Sequence, residues 1–176
     1  MTTVLGGRVI AAAGSEDKMD VAKRFGGADY VVNYSKPGWQ KEVSKITGGK
    51  GVDVVYDPVG VIQDSFKCIA WKGRAVVVGF AGGNIEKIPS NLILLKNISV
   101  TGLHWGAYRL HDFGRIAEVW KDLLEIFGSG KLKPVVYSEV YPYERLSDAL
   151  SALEHRKTWG KVIVRVREDD STRSKL

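Results

Sequence analysis

Gly14, Ser15 and Lys18, in the stretch "AAAGSEDK", are of the types and at the spacing to hold an anion. Gly14 closes the apolar run "GRVIAAA", whose composition predicts a β-strand. Ser15 opens a stretch with Met19, Ala22 and Phe25 on one helical face. A glycine at a strand end lets a ligand approach the backbone, because no Cβ intervenes. The Ser15 hydroxyl and the first-turn amides of the helix point outward, where the helix dipole favours negative charge. Lys18 adds a full positive charge one turn in. A second reading fits the same residues: Ser15 as a simple N-cap, with Glu16 and Asp17 favouring the first turn electrostatically. The spacing G-x-G-x-x-G, which cradles a pyrophosphate, is absent from the chain.

The elements that must position these residues alternate. Strands are expected at "GRVIAAA", "DYVVNY", "VDVVYD", "RAVVVGF" and "ISVTG". Helices are expected from Ser15, after Pro37, around Gln63 to Trp71, over "SNLILLKN", and from Asp112 to Phe127. The last places Phe113, Ile116, Ala117, Trp120, Leu123, Leu124 and Phe127 at 3-4-3 spacing, the clearest amphipathic pattern in the chain. Continuous apolar strands alternating with helices predict an α/β fold with a parallel, doubly wound sheet covered on both faces. In such a dinucleotide fold an acid at the end of the second strand accepts hydrogen bonds from the adenosine ribose and selects NAD. A small residue there, with a cation nearby, admits the extra phosphate of NADP. The strand in question ends in Ala13 and Gly14, with no acid.

After Pro134 the pattern changes. "VVYSEVY" and "KVIVRV" flank a helix bearing Leu146, Ala149, Leu150 and Leu153, which reads as a return to a neighbouring domain with a boundary near Lys133. The expected units are residues 1–133, 134–166 and a polar tail, 167–176, expected to be disordered.

Composition narrows the function classes. Apolar residues make up 44% and charged ones 26%, ordinary values for a globular protein. No apolar run approaches the roughly 20 residues needed to cross a bilayer, and no secretory signal pattern appears. The net charge of +6 is dispersed among acids with no run of five cations, which argues against nucleic acid and for a small anionic ligand. The single cysteine, Cys68, excludes an internal disulfide and a cysteine-cluster zinc site within this segment. Its apolar setting "DSFKCIAW" suits a small core residue. His104, His111 and His155 lack partner spacing for a metal or a triad, so no metal ligand is assigned.

Several stretches in order, "AAAGSEDK", "GGADYVVNY", "GGKGVDVVYDPVG", "GRAVVVGFAGG", "IPSNLILLKNISVTGLHWGAY" and "GKLKPVVYSEVYPYERLSDALSALEHRKTWGKVIVRV", closely resemble the medium-chain dehydrogenase/reductase superfamily. The nearest branch is that of the zinc-independent quinone oxidoreductases, the zeta-crystallin-like enzymes, and the resemblance runs from about Leu5 to Val166. It implies a Rossmann-like sheet, here lacking its first strand, and a C-terminal segment belonging to the catalytic domain. It implies NADPH as cofactor, with Gly14, Ser15 and Lys18 in the adenosine-phosphate pocket and Tyr34 packed beside it. Val59 and Gly60 of "DPVG" match the turn on the adenosine side, with Val61 standing where the family usually has a second glycine. Gly79, Phe80 and Ala81 match the turn whose backbone holds the nicotinamide carboxamide. Trp105 matches the segment that closes over the nicotinamide, and Arg156 a C-terminal arginine that reaches back to the phosphate. Other readings remain beside these: Lys18 and Arg156 as solvated charges, Gly79 as a turn glycine, and Trp105 with Tyr108 as interdomain packing.

For the intact protein the resemblance implies hydride transfer from NADPH to a quinone or an α,β-unsaturated carbonyl, with no catalytic side chain assigned here. It also implies that "NISVTG" is a sheet edge that pairs across a homodimer. Because the family places a catalytic domain and a glycine-rich loop ahead of this segment, the chain is expected to be the C-terminal half of a larger enzyme and inactive alone. The alternatives are a catalytically silent nucleotide-binding or interaction module, or a peroxisomal enoyl-thioester reductase. That last alternative rests on Ser174, Lys175 and Leu176. S-K-L at a carboxyl terminus is the address read by the peroxisomal import receptor, and without it the protein is expected in the cytoplasm.

Overall fold

The computed structural model describes residues 3–167. Strand β1 (Ile10–Ala13) pairs in parallel with β2 (Tyr30–Asn33), from Ile10 opposite Tyr30 to Ala13 opposite Asn33. A second parallel sheet has the order β3 (Val52–Asp57), β4 (Ile69–Val77), β5 (Ser99–Gly102). The third joins β6 (Val136–Pro142) to β7 (Lys161–Arg165), also in parallel. Helices fill the crossovers, as parallel pairing requires. They are α1 (Glu16–Arg24), α2 (Trp39–Ile46), α3 (Ile62–Ser65) and α4 (Ser90–Lys96), with α7 (Leu146–Glu154) between β6 and β7. The short α5 (Tyr108–His111) and the long α6 (Phe113–Gly128) follow β5.

This is the expected α/β class with one interruption. β1 and β3 do not pair, and among the described residues no strand lies between them. One apolar cluster nevertheless spans the break. Val32, Val43 and Cys68 are buried together, and Ile10 of β1 and Val52 of β3 both pack on their edge. The other cluster, Ile62, Phe66, Ile69, Ala75 and Ile98, holds α3 and α4 against the β3–β5 sheet.

Two expectations need correction. The helix placed through Gln63 to Trp71 stops at Ser65, and Ile69 to Trp71 open β4, well before the expected start at Arg74. Ile69 pairs with Val52, and both Ile69 and Ala70 are buried. Sheet pairing therefore overrides a short apolar run whose period is ambiguous between helix and strand. Gly51 permits this pairing: at φ +85° a Cβ on it would lie 2.7 Å from the Cys68 carbonyl oxygen. The register shifts between Val52 and Val54, and Lys72 takes a left-handed φ of 62° in the partner strand.

The second correction concerns the faces. Val54 and Tyr56 of β3 are 57% and 65% exposed, so this face of the sheet is not covered. α6 forms one residue later than its spacing predicts, but none of its residues is buried, and Phe113, Trp120 and Leu124 lie in solvent. The amphipathic pattern is local and produces the helix. What it packs on is a separate matter.

Candidate functional site

The carboxyl ends of the parallel strands bring the chemistry-bearing residues together. The Tyr34 amide donates to the Ala13 carbonyl at 3.1 Å, so β2 carries Tyr34 alongside the end of β1. The Ser35 hydroxyl donates to the Gly14 carbonyl at 3.2 Å. A Cβ on Gly14 would lie 3.3 Å from the Ser35 hydroxyl oxygen and 3.4 Å from the Tyr34 phenol oxygen. Any larger residue there would crowd both. Ser15 occupies the N-cap with extended backbone, and its carbonyl accepts from the Met19 amide, yet its hydroxyl makes no capping bond. The hydroxyl thus stands at the N-terminus of α1 without the duty that the N-cap reading gives it.

Lys18 and Arg156, 138 positions apart, meet at this point: the Lys18 ammonium donates to the Arg156 carbonyl at 2.8 Å. The Arg156 guanidinium donates in turn to the Ala81 carbonyl at 3.2 Å. Arg156 holds a left-handed φ of 56° at the C-terminal stop of α7, where its amide and that of Lys157 donate to the Leu153 and Ala152 carbonyls. The first turn of α1, the turn after α7 and the turn after β4 are thereby linked. Phe25, stacked on Trp159 at 6.2 Å, fastens the other end of α1 to the β6–β7 unit. Tyr137 meets Trp159 edge-on at 5.4 Å.

The turns after β3 and β4 are laced by backbone bonds. The Ala81 amide donates to the Pro58 carbonyl and the Gly82 amide to the Val59 carbonyl, at 3.0 and 2.8 Å. A Cβ on Gly79 would sit 3.3 Å from the Pro58 oxygen. The turn carrying Val59 and the turn carrying Gly79, Phe80 and Ala81 are therefore neighbours. Trp105 follows β5 with its ring 5.1 Å from Tyr108. Among the described residues no hydrogen bond joins it to the Gly14–Arg156 group.

Sequence reasoning missed the residues that shape the β3 turn. Buried Asp57 accepts amide hydrogens from Val59, Gly60 and Val61 at 2.8, 3.0 and 2.7 Å. Its signal was the D-P-x-G order after a strand, an aspartate folding the following turn onto itself. Glu86 caps α3 through the Ile62 and Gln63 amides at 2.6 and 3.2 Å. Nothing local marks it, because it acts from 24 positions away.

Charge is arranged around the first turn. Lys36 pairs with Glu16 at 2.8 Å. Hydrogen bonding to Lys36, reinforced by its charge, holds the Glu16 carboxyl below its ordinary range, and the same contact raises the Lys36 ammonium. An open cavity of about 340 Å³ lies beside them, lined by Tyr34, Ser35, Lys36, Trp39 and Asp64 among others. Burial pushes the Cys68 thiol up to about 11, so it is protonated at neutral pH and unsuited to nucleophilic work. Among the described residues no three His, Cys, Asp or Glu side chains gather as a metal cage, and no helix is long and apolar enough to cross a membrane. Apart from Arg167, the 167–176 tail, with its Ser174-Lys175-Leu176 end, lies outside the described residues.

A parallel α/β fold whose strand ends converge on an anion-ready turn is the dinucleotide-binding class. The comparisons agree. The family profile described as zinc-binding dehydrogenase matches residues 1–126. Quinone oxidoreductase-like protein 2 of Rattus norvegicus is 43% identical over 93% of this chain and 47% of its own length. A 2-haloacrylate reductase from Burkholderia is 29% identical over 91% and 48%. An Escherichia coli quinone oxidoreductase, solved in complex with NADPH, superimposes with a TM-score of 0.81 at 28% identity, covering 94% of this chain and 51% of that one. The chain belongs to the medium-chain dehydrogenase/reductase superfamily, in its zinc-independent, quinone oxidoreductase-like branch, and carries the C-terminal, Rossmann-like portion. It spans about half the length of the curated relatives it matches.

Proposed function

We propose that this chain forms the coenzyme side of an NADPH-dependent oxidoreductase that reduces a quinone or an α,β-unsaturated carbonyl. The observation that carries the reading is the meeting of Gly14, Ser15, Lys18, Tyr34 and Arg156 at one turn. The residues fit an adenosine carrying a 2′-phosphate. Gly14 sets no Cβ against Ser35 and Tyr34, the α1 N-terminus favours an anion, and the Lys18 ammonium reaches the main chain of Arg156, whose guanidinium reaches the Ala81 carbonyl. Lys18 and Arg156 bind the phosphate by exchanging their present carbonyl partners for its oxygens, and Tyr34 packs beside it. Val59 bounds the adenosine, while the backbone of Gly79, Phe80 and Ala81 holds the carboxamide and Trp105 covers the nicotinamide. When bound, NADPH supplies the hydride that reduces the acceptor. The chain's own residues bind and orient, and none is proposed as an acid or base.

The acceptor class draws support from relatives named for quinone and 2-haloacrylate reduction, the latter a conjugated acid. In this reading residues 1–133 are the cofactor domain, 134–166 complete the catalytic domain, and β5 is the edge that pairs two copies. Calorimetry on the 176-residue chain is expected to show weak NADPH binding and still weaker NADH binding, with no quinone turnover. Equal affinity for the two nucleotides would overturn the phosphate reading, and turnover would overturn the expectation that this chain is inactive alone. The unpaired edges of β1 and β3 favour one other reading, a silent nucleotide-binding or interaction module, which binding of neither nucleotide would support.

Where Leu176 is the carboxyl terminus of the protein, Ser174-Lys175-Leu176 addresses it to the peroxisomal import receptor. In that compartment an enoyl-thioester is the fitting conjugated substrate. A fluorescent protein fused ahead of residues 167–176 is expected to enter peroxisomes. Diffuse cytosolic signal would overturn the address.

A further inference from the structure

We propose that Lys36 is a specificity-determining residue for the 2′-phosphate, acting through Glu16: by pairing with that carboxylate it removes a repulsive charge from the mouth of the phosphate pocket. The inference rests on the reading of Gly14, Ser15, Lys18 and Arg156 as that pocket.

Glu16 directly follows Ser15 as the first residue of α1, beside the turn that would receive the phosphate. A lone carboxylate within roughly 6 Å of a dianion in water weakens binding on the order of tenfold. An acid at that position is therefore a liability unless it is neutralised. The neutralising group comes from the opposite wall. Ser35, from the β2 turn, bonds the Gly14 carbonyl, and the next residue, Lys36, reaches the Glu16 carboxylate at 2.8 Å. The two walls are thus joined by consecutive residues, one fixing the backbone and one cancelling the charge. Of the other acids on α1, Asp20 is paired within the helix to Arg24 at 2.7 Å, and Asp17, also in the first turn, makes no ion pair among the described residues. Among the ion pairs of the described residues, Glu16–Lys36 crosses from α1 to the β2 turn.

Both side chains are about two-thirds exposed, at 67% for Lys36 and 69% for Glu16. Exposed pairs of this kind contribute little to folding, so the variants that test the inference are expected to fold. What the pair changes is the local field, which weakens with distance and so acts most on a phosphate at the 2′ position and little on one at the 5′ position.

The test is calorimetry of the 176-residue chain with 2′,5′-ADP, and with 5′-AMP as the probe lacking the 2′-phosphate. The unmodified chain is expected to prefer 2′,5′-ADP. Lys36→Met is expected to lose about tenfold of that preference, with 5′-AMP affinity little changed. Glu16→Gln is expected to keep or raise it, since Lys36 is then uncompensated, and the double variant Glu16→Gln/Lys36→Met is expected to regain it to within about twofold, since a removed carboxylate needs no partner. The loss in Lys36→Met should also shrink at high salt. Preference retained in Lys36→Met overturns the inference. Preference lost in Lys36→Met and not regained in the double variant also overturns it, and shows instead that Lys36 touches the phosphate directly. If the unmodified chain binds neither probe, or prefers neither, the phosphate pocket itself falls and this inference falls with it.

Discussion

Replacing Lys18 and Arg156 together by alanine is expected to weaken NADPH binding by about a hundredfold or more, while NADH affinity stays within about threefold. The magnitude follows from two charge-assisted hydrogen bonds to a dianion, each worth about 1.5–3 kcal/mol, where 1.4 kcal/mol is a factor of ten. The two residues are linked through the main chain: the Lys18 ammonium donates to the Arg156 carbonyl, and the Arg156 guanidinium to the Ala81 carbonyl. The same bonds tether the turn after α7 to the cofactor turns, so a purely structural role must be separated from phosphate recognition. NADH performs that separation. It shares every proposed contact except the phosphate, so a loss of turn geometry would weaken both nucleotides alike. The Phe25–Trp159 stack still holds the β6–β7 unit to α1 in the variant. An equal fall for the two nucleotides, or no fall for either, would refute the clamp. Arg156→Lys is expected to lie between, since a lysine keeps the charge and loses the bidentate fork.

Asp57→Ala is expected to destabilise the chain by about 3 kcal/mol, read as a lower denaturant midpoint with little change in slope. Asp57 is 4% exposed, and its carboxylate satisfies the amides of Val59, Gly60 and Val61. Alanine removes the acceptor and leaves three donors in a turn too tight for an easy replacement. Each buried, unpaired donor costs about 1–3 kcal/mol, discounted here because water reaches part of the turn. Asp57→Asn is expected to lose less: one oxygen still accepts, while the new amide faces the Val61 N–H donor to donor. The effect extends beyond stability. The same turn offers its Pro58 and Val59 carbonyls to the amides of Ala81 and Gly82. A disordered β3 turn would therefore loosen the β4 turn proposed to hold the nicotinamide. An alanine variant within about 0.5 kcal/mol of the parent would show that the carboxylate does not organise the turn.

Much of this was legible in the residues. The β/α alternation, the strand over "VDVVYD" and the helix over "SNLILLKN" follow from apolar period and flanking turn residues, which are local quantities. So does the position of Gly14 and Ser15 between a strand and a helix. The β4 start was not legible, because Ile69 to Trp71 are apolar enough for helix or strand, and pairing with Val52 decides between them. Glu86 was invisible for a related reason: its partners, the α3 amides, come near it only when the loop after β4 folds back.

The chain of amino acids alone thus determined most of the strands and helices, that the fold is of the parallel dinucleotide class, and that a glycine and a serine join β1 to α1. These depend on side-chain period, turn chemistry and the placing of single charges, all of which act over a few residues. Folding in three dimensions decided the rest. It brought Lys18 to Arg156 and Arg156 to Ala81, set Lys36 against Glu16, and stacked Phe25 on Trp159. It also left Val54 and Tyr56 in solvent, and Phe113 and Trp120 with them. Those outcomes depend on strand order, register and what each face meets, which couple residues up to 138 positions apart and leave no trace in any local window.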